Sequence, residues 1–485
     1  MAYLGWLFVG LLLGGGITIG ITRRLGSMGR RSNGQQPVSG LLANHFHPLA
    51  IGETTISGRQ FPYRVRADLQ RAIDQLFAEE TRVVHFCGIR REFSPEGLTL
   101  SGCLVDSEHH WAVAIPAEYE EIDIGDTEPV RALKNGLWLL EQGGTHFAVL
   151  LAPTGHFDES PGIQFQIAVP NHTEGANITQ RFFRHLEESV LKAESYRGKI
   201  LSLDKQDHSY SGKSSGIVVH RLRTVEREQV ILPESTLRLL DRNVLQFVRQ
   251  RERLSQFQQA TKKGLLFYGP PGTGKTHTIH YLAKALEGHT TLLISAEQVG
   301  LLGEYMTLAR LLQPSLVILE DVDLIARDRT TMSNPCEEVL LNKLLNEMDG
   351  LKENTDILFI LTTNRPEQLE VALASRPGRI DQAIEFPLPD EPGRRKLVAL
   401  YSQGVPIPEA VMEEAVRRTE SVSAAFIKEL MRRTVQFHIE RDGAGDVSHA
   451  DLDNALNEML FSGGSLNLKL LGAGMPGACQ SECRA

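Results

Sequence analysis

The chain has 485 residues, 41% hydrophobic and 23% charged, with 43 glycines and 22 prolines. At roughly 100–200 residues per domain this makes about three domains, and it excludes a collagen, a disordered tail and a multi-span membrane protein. The net charge of −9 argues against a general nucleic-acid binder, and five cysteines without a C-x-x-C pair are too few for a disulfide scaffold.

Residues 1–22, MAYLGWLFVGLLLGGGITIGIT, carry no charged side chain, and Glu53 is the first acid. As a helix they would span about 33 Å, enough for a hydrocarbon core of about 30 Å. Arg23, Arg24, Arg30 and Arg31 follow. The positive-inside rule then puts the rest of the chain on the cytoplasmic side. Charge after the apolar run argues against a cleaved signal peptide. The reading is a single-pass transmembrane helix over 1–22 and a basic flexible linker over 23–40.

Residues 41–215 hold strand-like runs at 82–86, 111–115, 147–151 and 163–169, the last alternating apolar and polar. Ile178, Phe182, Leu186 and Val190 predict a helix over 178–196. This is an α+β substrate- or partner-binding domain without a catalytic constellation. The polar stretch at 204–215 marks its end.

Residues 264–268 read as a buried strand, GPPGTGKT follows at 269–276, and a helical run continues over 277–287. Strand, glycine loop and helix are the context of a phosphate-binding loop. Its candidate nucleotide contacts are Gly269, Pro270, Pro271, Gly272, Thr273, Gly274, Lys275, Thr276 and His277. The glycines let backbone N–H groups turn toward the β- and γ-phosphates of ATP, and Lys275 adds positive charge. The Thr276 hydroxyl is a candidate Mg²⁺ ligand, and the helix N-terminus adds its dipole.

The apolar run 316–319 ends in Glu320 and Asp321. Acids at the C-terminal edge of a parallel sheet are where Mg²⁺ and an attacking water are expected. The run 357–363 ends in Asn364, placed to bond the γ-phosphate or orient water. Arg376-Pro377-Gly378-Arg379 suits a rigid turn presenting two guanidinium groups to a transferring phosphoryl.

In this order, the P-loop, the acidic strand end, MDGL at 348–351, TTNRP at 362–366 and RPGRID at 376–381 resemble the AAA ATPase family over roughly 216–465. The resemblance implies an α/β domain over 216–389 with a five-stranded parallel sheet, a helical lid over 390–465, a tail over 466–485, and a homo-oligomeric ring of six or seven subunits. It makes Asn364 a sensor and sends Arg376 and Arg379 into the neighbouring subunit's ATP site. By register Glu320 takes the metal side and Asp321 activates water, the reverse of the family's usual Asp-Glu order. The Glu-Asp order and the overall layout are similar to the mitochondrial Rieske-protein translocase family, and the layout also to the YjoB-like bacterial AAA chaperones. Ser423-Ala424-Ala425-Phe426 stands where the family has Ser-Gly-Ala-Asp, near the adenine.

Substrate-threading members carry an aromatic-hydrophobic-Gly pore loop. Here the segment is Leu301-Leu302-Gly303-Glu304, and a pore grip and simple helix packing both remain open. The function implied is an ATP-hydrolysing ring that remodels, chaperones or translocates protein substrates at a membrane, with no nucleic-acid partner. The alternatives are a nucleotide-gated scaffold and an unfoldase partner of a separate protease.

Overall fold

The computed structural model describes residues 36–91, 97–104, 112–154, 162–204, 216–323, 346–347, 350, 355–367, 380–441, 443 and 445–462. The expected membrane helix over 1–22, Arg376, Arg379 and the tail over 466–485 lie outside the described residues. Among the described residues no helix is long and apolar enough to cross a membrane. The expected linker ends early, because Val38–Phe46 is a helix whose Val38, Leu42 and Phe46 are buried at i, i+4 spacing.

The first sheet contains β1 (Thr54–Pro62), β2 (Arg82–Arg91), β3 (Ala112–Ile115), β4 (Glu118–Ile122), β5 (Val130–Gln142), β6 (Thr145–Thr154) and β7 (Gly162–Pro170). Its order is β1-β7-β6-β5-β2-β3, with β4 also on β5, and every pairing is antiparallel. β5 and β6 form a hairpin through Gly143 and Gly144, both left-handed at φ 56° and 81°, which only glycine adopts cheaply. Strand alternation divides the core. Phe147, Val149 and Leu151 pack under the helices Arg66–Glu80 and Thr173–Lys192, whereas Ala148 and Leu150 face the helix Val38–Phe46. The predicted helix over 178–196 is Thr173–Lys192. It starts earlier because the His172 ring caps it, accepting from the Gly175 N–H at 3.2 Å, and it ends where Ala193 turns left-handed.

The second sheet contains β8 (Ile200–Leu203), β9 (Ile217–Val219), β10 (Lys263–Tyr268), β11 (Thr290–Ile294), β12 (Ser315–Leu319), β13 (Ile357–Thr363) and β14 (Gln382–Glu385). Its order is β14-β10-β13-β12-β11-β8-β9. All pairings are parallel except β8 with β9. Five of these strands, β14 to β11, make the parallel sheet that the family resemblance implies. The other two are a departure: β8 lies inside the range assigned to the N-terminal domain, so the boundary at 215 cuts the hairpin β8–β9. Four residues are too short a run to reveal their sheet.

β12 and β13 are buried along their whole length, as strands covered on both faces must be. Val317, Phe359 and Leu361 point to one core, and Leu316, Ile318, Leu358 and Ile360 to the other. The first of these cores also takes in Ala67, Ile122, Ile124 and Ala132 from the N-terminal half, so the halves share apolar interior. Leu302 is fully buried there and Leu301 packs against it. Helix packing therefore accounts for Leu302, while Leu301 is half-buried against the core.

The lid consists of helices Glu391–Tyr401, Glu409–Arg418, Ala424–Arg441 and His449–Asn457, gathered around Leu397, Phe426, Leu430 and Leu452. Asp390 caps the first through the Gly393 N–H, with proline in its first turn.

Candidate nucleotide site

Parallel strands all end on one edge. The register pairs Tyr268 with Thr363 and Leu319 with Leu361. The glycine loop after β10, the acids after β12 and Asn364 after β13 therefore emerge side by side.

Gly269, Gly272 and Gly274 have φ of 145°, 76° and 102°. At Gly269 a side chain would press into the Phe386 carbonyl oxygen beside β14. At Gly272 a Cβ would lie 2.8 Å from Ala425 Cβ and 2.9 Å from Ser423 Oγ, and the Gly272 carbonyl accepts from the Ala425 N–H at 3.0 Å. The lid thus rests directly on the loop. The helix Lys275–Ala285 starts at Gly274 without a side-chain cap, leaving its first N–H groups for an anion.

Lys275 is buried, and its ammonium donates to the carbonyls of Gly269 (2.8 Å) and Pro270 (3.0 Å). Burial brings its pKa down to about 8, against the opposing pull of Asp321 and Asp323. Thr273 braces the loop through the Pro270 carbonyl at 2.9 Å. The Thr276 hydroxyl donates to Glu320 Oε1 at 2.8 Å.

Asn364 Nδ2 donates to Asp321 Oδ1 at 3.0 Å. Asp323 lies beneath, buried, and one of its oxygens accepts from Thr363 Oγ1 (3.0 Å) and from the Asn364 N–H (3.1 Å). Thr362 Oγ1 accepts from the Asp321 N–H at 3.0 Å. Asp321 itself is left-handed, φ 50°. Asp323, Thr362 and Thr363 thus set the orientation of Asp321 and Asn364. They sit within or beside the sequence motifs, but nothing in the sequence marks them for that task.

A cavity of about 360 Å³ opens over these groups. Pro271, Gly272, Thr273, Gly274, Lys275, Thr276 and His277 line it, with Asp321 and Asn364. Gly269, Pro270 and Glu320 stand behind, acting on Lys275 and Thr276. The far walls are 229–232, Leu397, Tyr401, Ala424, Ala425 and Lys428. Ala424 and Ala425 belong to the segment that the family resemblance sets near the adenine, and the others have no signature in the sequence. Phe426 turns instead into the lid core. His277 anchors one wall through Nε2 and the Gln229 carbonyl at 3.1 Å, and burial holds its pKa below the ordinary value. Arg376 and Arg379 lie outside the described residues, as do three of the four MDGL residues.

A glycine phosphate loop, carboxylates and an asparagine at the C-terminal edge of a parallel sheet, under a helical lid, define a P-loop nucleoside triphosphatase. Residues 265–388 match the family described as ATPase family associated with various cellular activities (AAA). The chain is 31% identical over 262 residues to the proteasome-activating nucleotidase of Methanothermobacter thermautotrophicus, covering 51% of this chain and 62% of the relative. It is 32% identical over 236 residues to the ATP-dependent zinc metalloprotease FtsH of Acidimicrobium ferrooxidans, covering 45% and 35%. With the cell division cycle protein 48 homolog of Archaeoglobus fulgidus the identity is 26% over 331 residues, covering 66% and 42%. The chain therefore spans less than two thirds of the length of these relatives. It carries an AAA-type ATPase domain, for which ATP and Mg²⁺ are the cofactors. The residues fit both. Thr276 and Glu320 offer hard oxygen ligands, and the buried ammonium of Lys275 awaits an anion stronger than two carbonyls.

Proposed function

We propose that the protein is a ring-forming ATPase that hydrolyses ATP to remodel, chaperone or translocate protein substrates at a membrane. The observation that carries the chemistry is the pair of contacts at the strand ends, Thr276 to Glu320 and Asn364 to Asp321. In this reading Lys275 binds the β- and γ-phosphates. Thr276 and Glu320 would hold Mg²⁺, which when bound would supply neutralisation of the phosphate charge. Asp321 accepts a proton from the attacking water while Asn364 fixes its direction. Arg376 and Arg379 reach the site of the next subunit and stabilise the transferring phosphoryl.

Residues 1–22 are the proposed anchor, leaving the ATPase on the cytoplasmic side. The Glu320-Asp321 order supports a place near the Rieske-protein translocases, and the layout near the YjoB-like chaperones as well. The relatives named above as a nucleotidase and a metalloprotease lend general support to work on protein substrates.

A steady-state ATPase assay is the test. Lys275→Ala should lose nucleotide binding, and Arg379→Ala should keep nucleotide while losing most turnover. A wild-type protein that binds ATP without turnover would mark a nucleotide-gated scaffold instead.

A further inference from the structure

Hydrogen bonds joined by single steps along the backbone lead from the nucleotide site to the N-terminal half of the chain. Glu320, bonded to Thr276, donates its N–H to the carbonyl of Ile294 at the end of β11 (3.1 Å). The next residue, Ser295, donates its N–H to Gln298 Oε1 (3.1 Å). The same oxygen accepts from the Tyr305 hydroxyl (3.1 Å). Gln298 Nε2 donates to the Leu203 carbonyl in β8 (2.7 Å), and the Leu203 N–H donates back to the Tyr305 hydroxyl (2.7 Å). Gln298, Tyr305 and Leu203 thus close a ring in which each hydrogen bond supports the next. Tyr305 has no exposed surface, and burial lifts its phenol to about 12, so it stays a donor.

Beside Tyr305, Glu304 forms an ion pair with Arg64. Arg64 sits in the short turn before the helix Arg66–Glu80. There Arg66 is buried and bonds the carbonyls of Ala132 and Leu133 in β5 at 3.3 and 3.0 Å. Lys199, just before β8, adds a second tie to the carbonyl of Ile124 and to Asp126.

We propose that the Gln298–Tyr305–Leu203 ring and the Glu304–Arg64 pair transmit the state of the nucleotide site to the N-terminal domain. The inference rests on the ATPase reading above. The ring is anchored on the buried Tyr305 hydroxyl and the half-buried Gln298, and it is stiff because a member that shifts takes hydrogen-bond partners from the others. When the Thr276–Glu320 contact is rearranged by bound Mg²⁺ and nucleotide, the end of β11 moves with Glu320. The ring passes that movement to β8, and Glu304 passes it to Arg64. The segment that the family resemblance assigns to the pore is thereby a joint. These residues are positioning residues, and the N-terminal domain is the element that moves against a client.

Hydrogen–deuterium exchange on the full chain tests this, with Mg²⁺ and either ADP or a non-hydrolysable ATP analogue, and with fluorescent-nucleotide binding measured alongside. The amides of 200–203 and of 63–70 should exchange differently in the two states. Tyr305→Phe should lose the difference at 200–203 and Glu304→Gln that at 63–70, while nucleotide affinity stays at the wild-type value. The exchanged pair Arg64→Glu with Glu304→Arg should restore the difference at 63–70. A wild-type protein that binds nucleotide but shows no difference at 63–70 overturns the proposal. So does a Tyr305→Phe protein that retains the difference at 200–203, or a Glu304→Gln protein that retains the one at 63–70. If Tyr305→Phe fails to fold, the Glu304→Gln and charge-exchange proteins decide the matter. A wild-type protein that binds no nucleotide sinks the ATPase reading, and the proposal with it.

Discussion

The two sheets have the same number of strands among the described residues, yet chemistry gathers on one of them. In the antiparallel sheet successive strands end on opposite edges, so the polar residues after each strand are dispersed. In the parallel sheet every strand ends on the same edge. Three short polar segments, after β10, β12 and β13, become one site without any long-range sequence signal. The lesson is that strand direction concentrates function, while burial on both faces supplies the rigidity the site needs.

The strongest challenge to that contrast is Asp321→Asn. It keeps the side-chain volume and nucleotide binding, and turnover should fall about 10²- to 10⁴-fold. Full activity in a steady-state assay would remove Asp321 from the proposed role. Next comes Leu150→Ala in β6, a fully buried side chain remote from the site. It should cost about 3 kcal/mol of stability in denaturant melts. Nucleotide affinity of the folded protein should be unchanged. A drop in affinity would show that the two sheets fold as one energetic unit.

Asp323→Ala is a finer probe. It leaves Thr363 Oγ1 and the Asn364 N–H without their acceptor, a loss of about 1–3 kcal/mol. Because it acts through Asn364, kcat should fall while KM for ATP barely moves. An unchanged kcat would show that Asn364 is held without it.

The smallest effect is one of pH. Lys275, brought down to about 8 by burial, loses its proton in the free protein as pH rises through that value. A bound polyphosphate favours the ammonium, so binding must recover the proton. Affinity should therefore be flat below pH 7 and fall about tenfold per unit above pH 8. Calorimetry in buffers of different ionisation enthalpy would report the proton uptake. A flat profile to pH 9 would mean that the ammonium keeps its proton throughout.

Legibility followed the length of the signal. The loop 269–276, the acids at 320 and 321 and Asn364 were readable because each is a short motif at the end of an apolar strand. The walls at 229–232, Tyr401 and Lys428 were not. They come from three separate segments with ordinary composition, and only tertiary packing brings them together. The four residues of β8 looked like the end of the N-terminal domain because parallel pairing to β11 leaves no local mark. Leu301 and Leu302 suggested two roles in the sequence, and the structure buries Leu302 in the core while leaving Leu301 half-buried.

The left-handed backbone at Asp321 bears on how the site can be rewritten. Asparagine and aspartate enter that region readily, whereas other side chains meet a penalty of about 1–2 kcal/mol. Exchanging Glu320 and Asp321 to give the more familiar acid order would place a glutamate on this turn. The reversed order is therefore not a free choice of side chains. The shape of the chain at that point selects the shorter acid, and an engineer who wants the other must first reshape the turn.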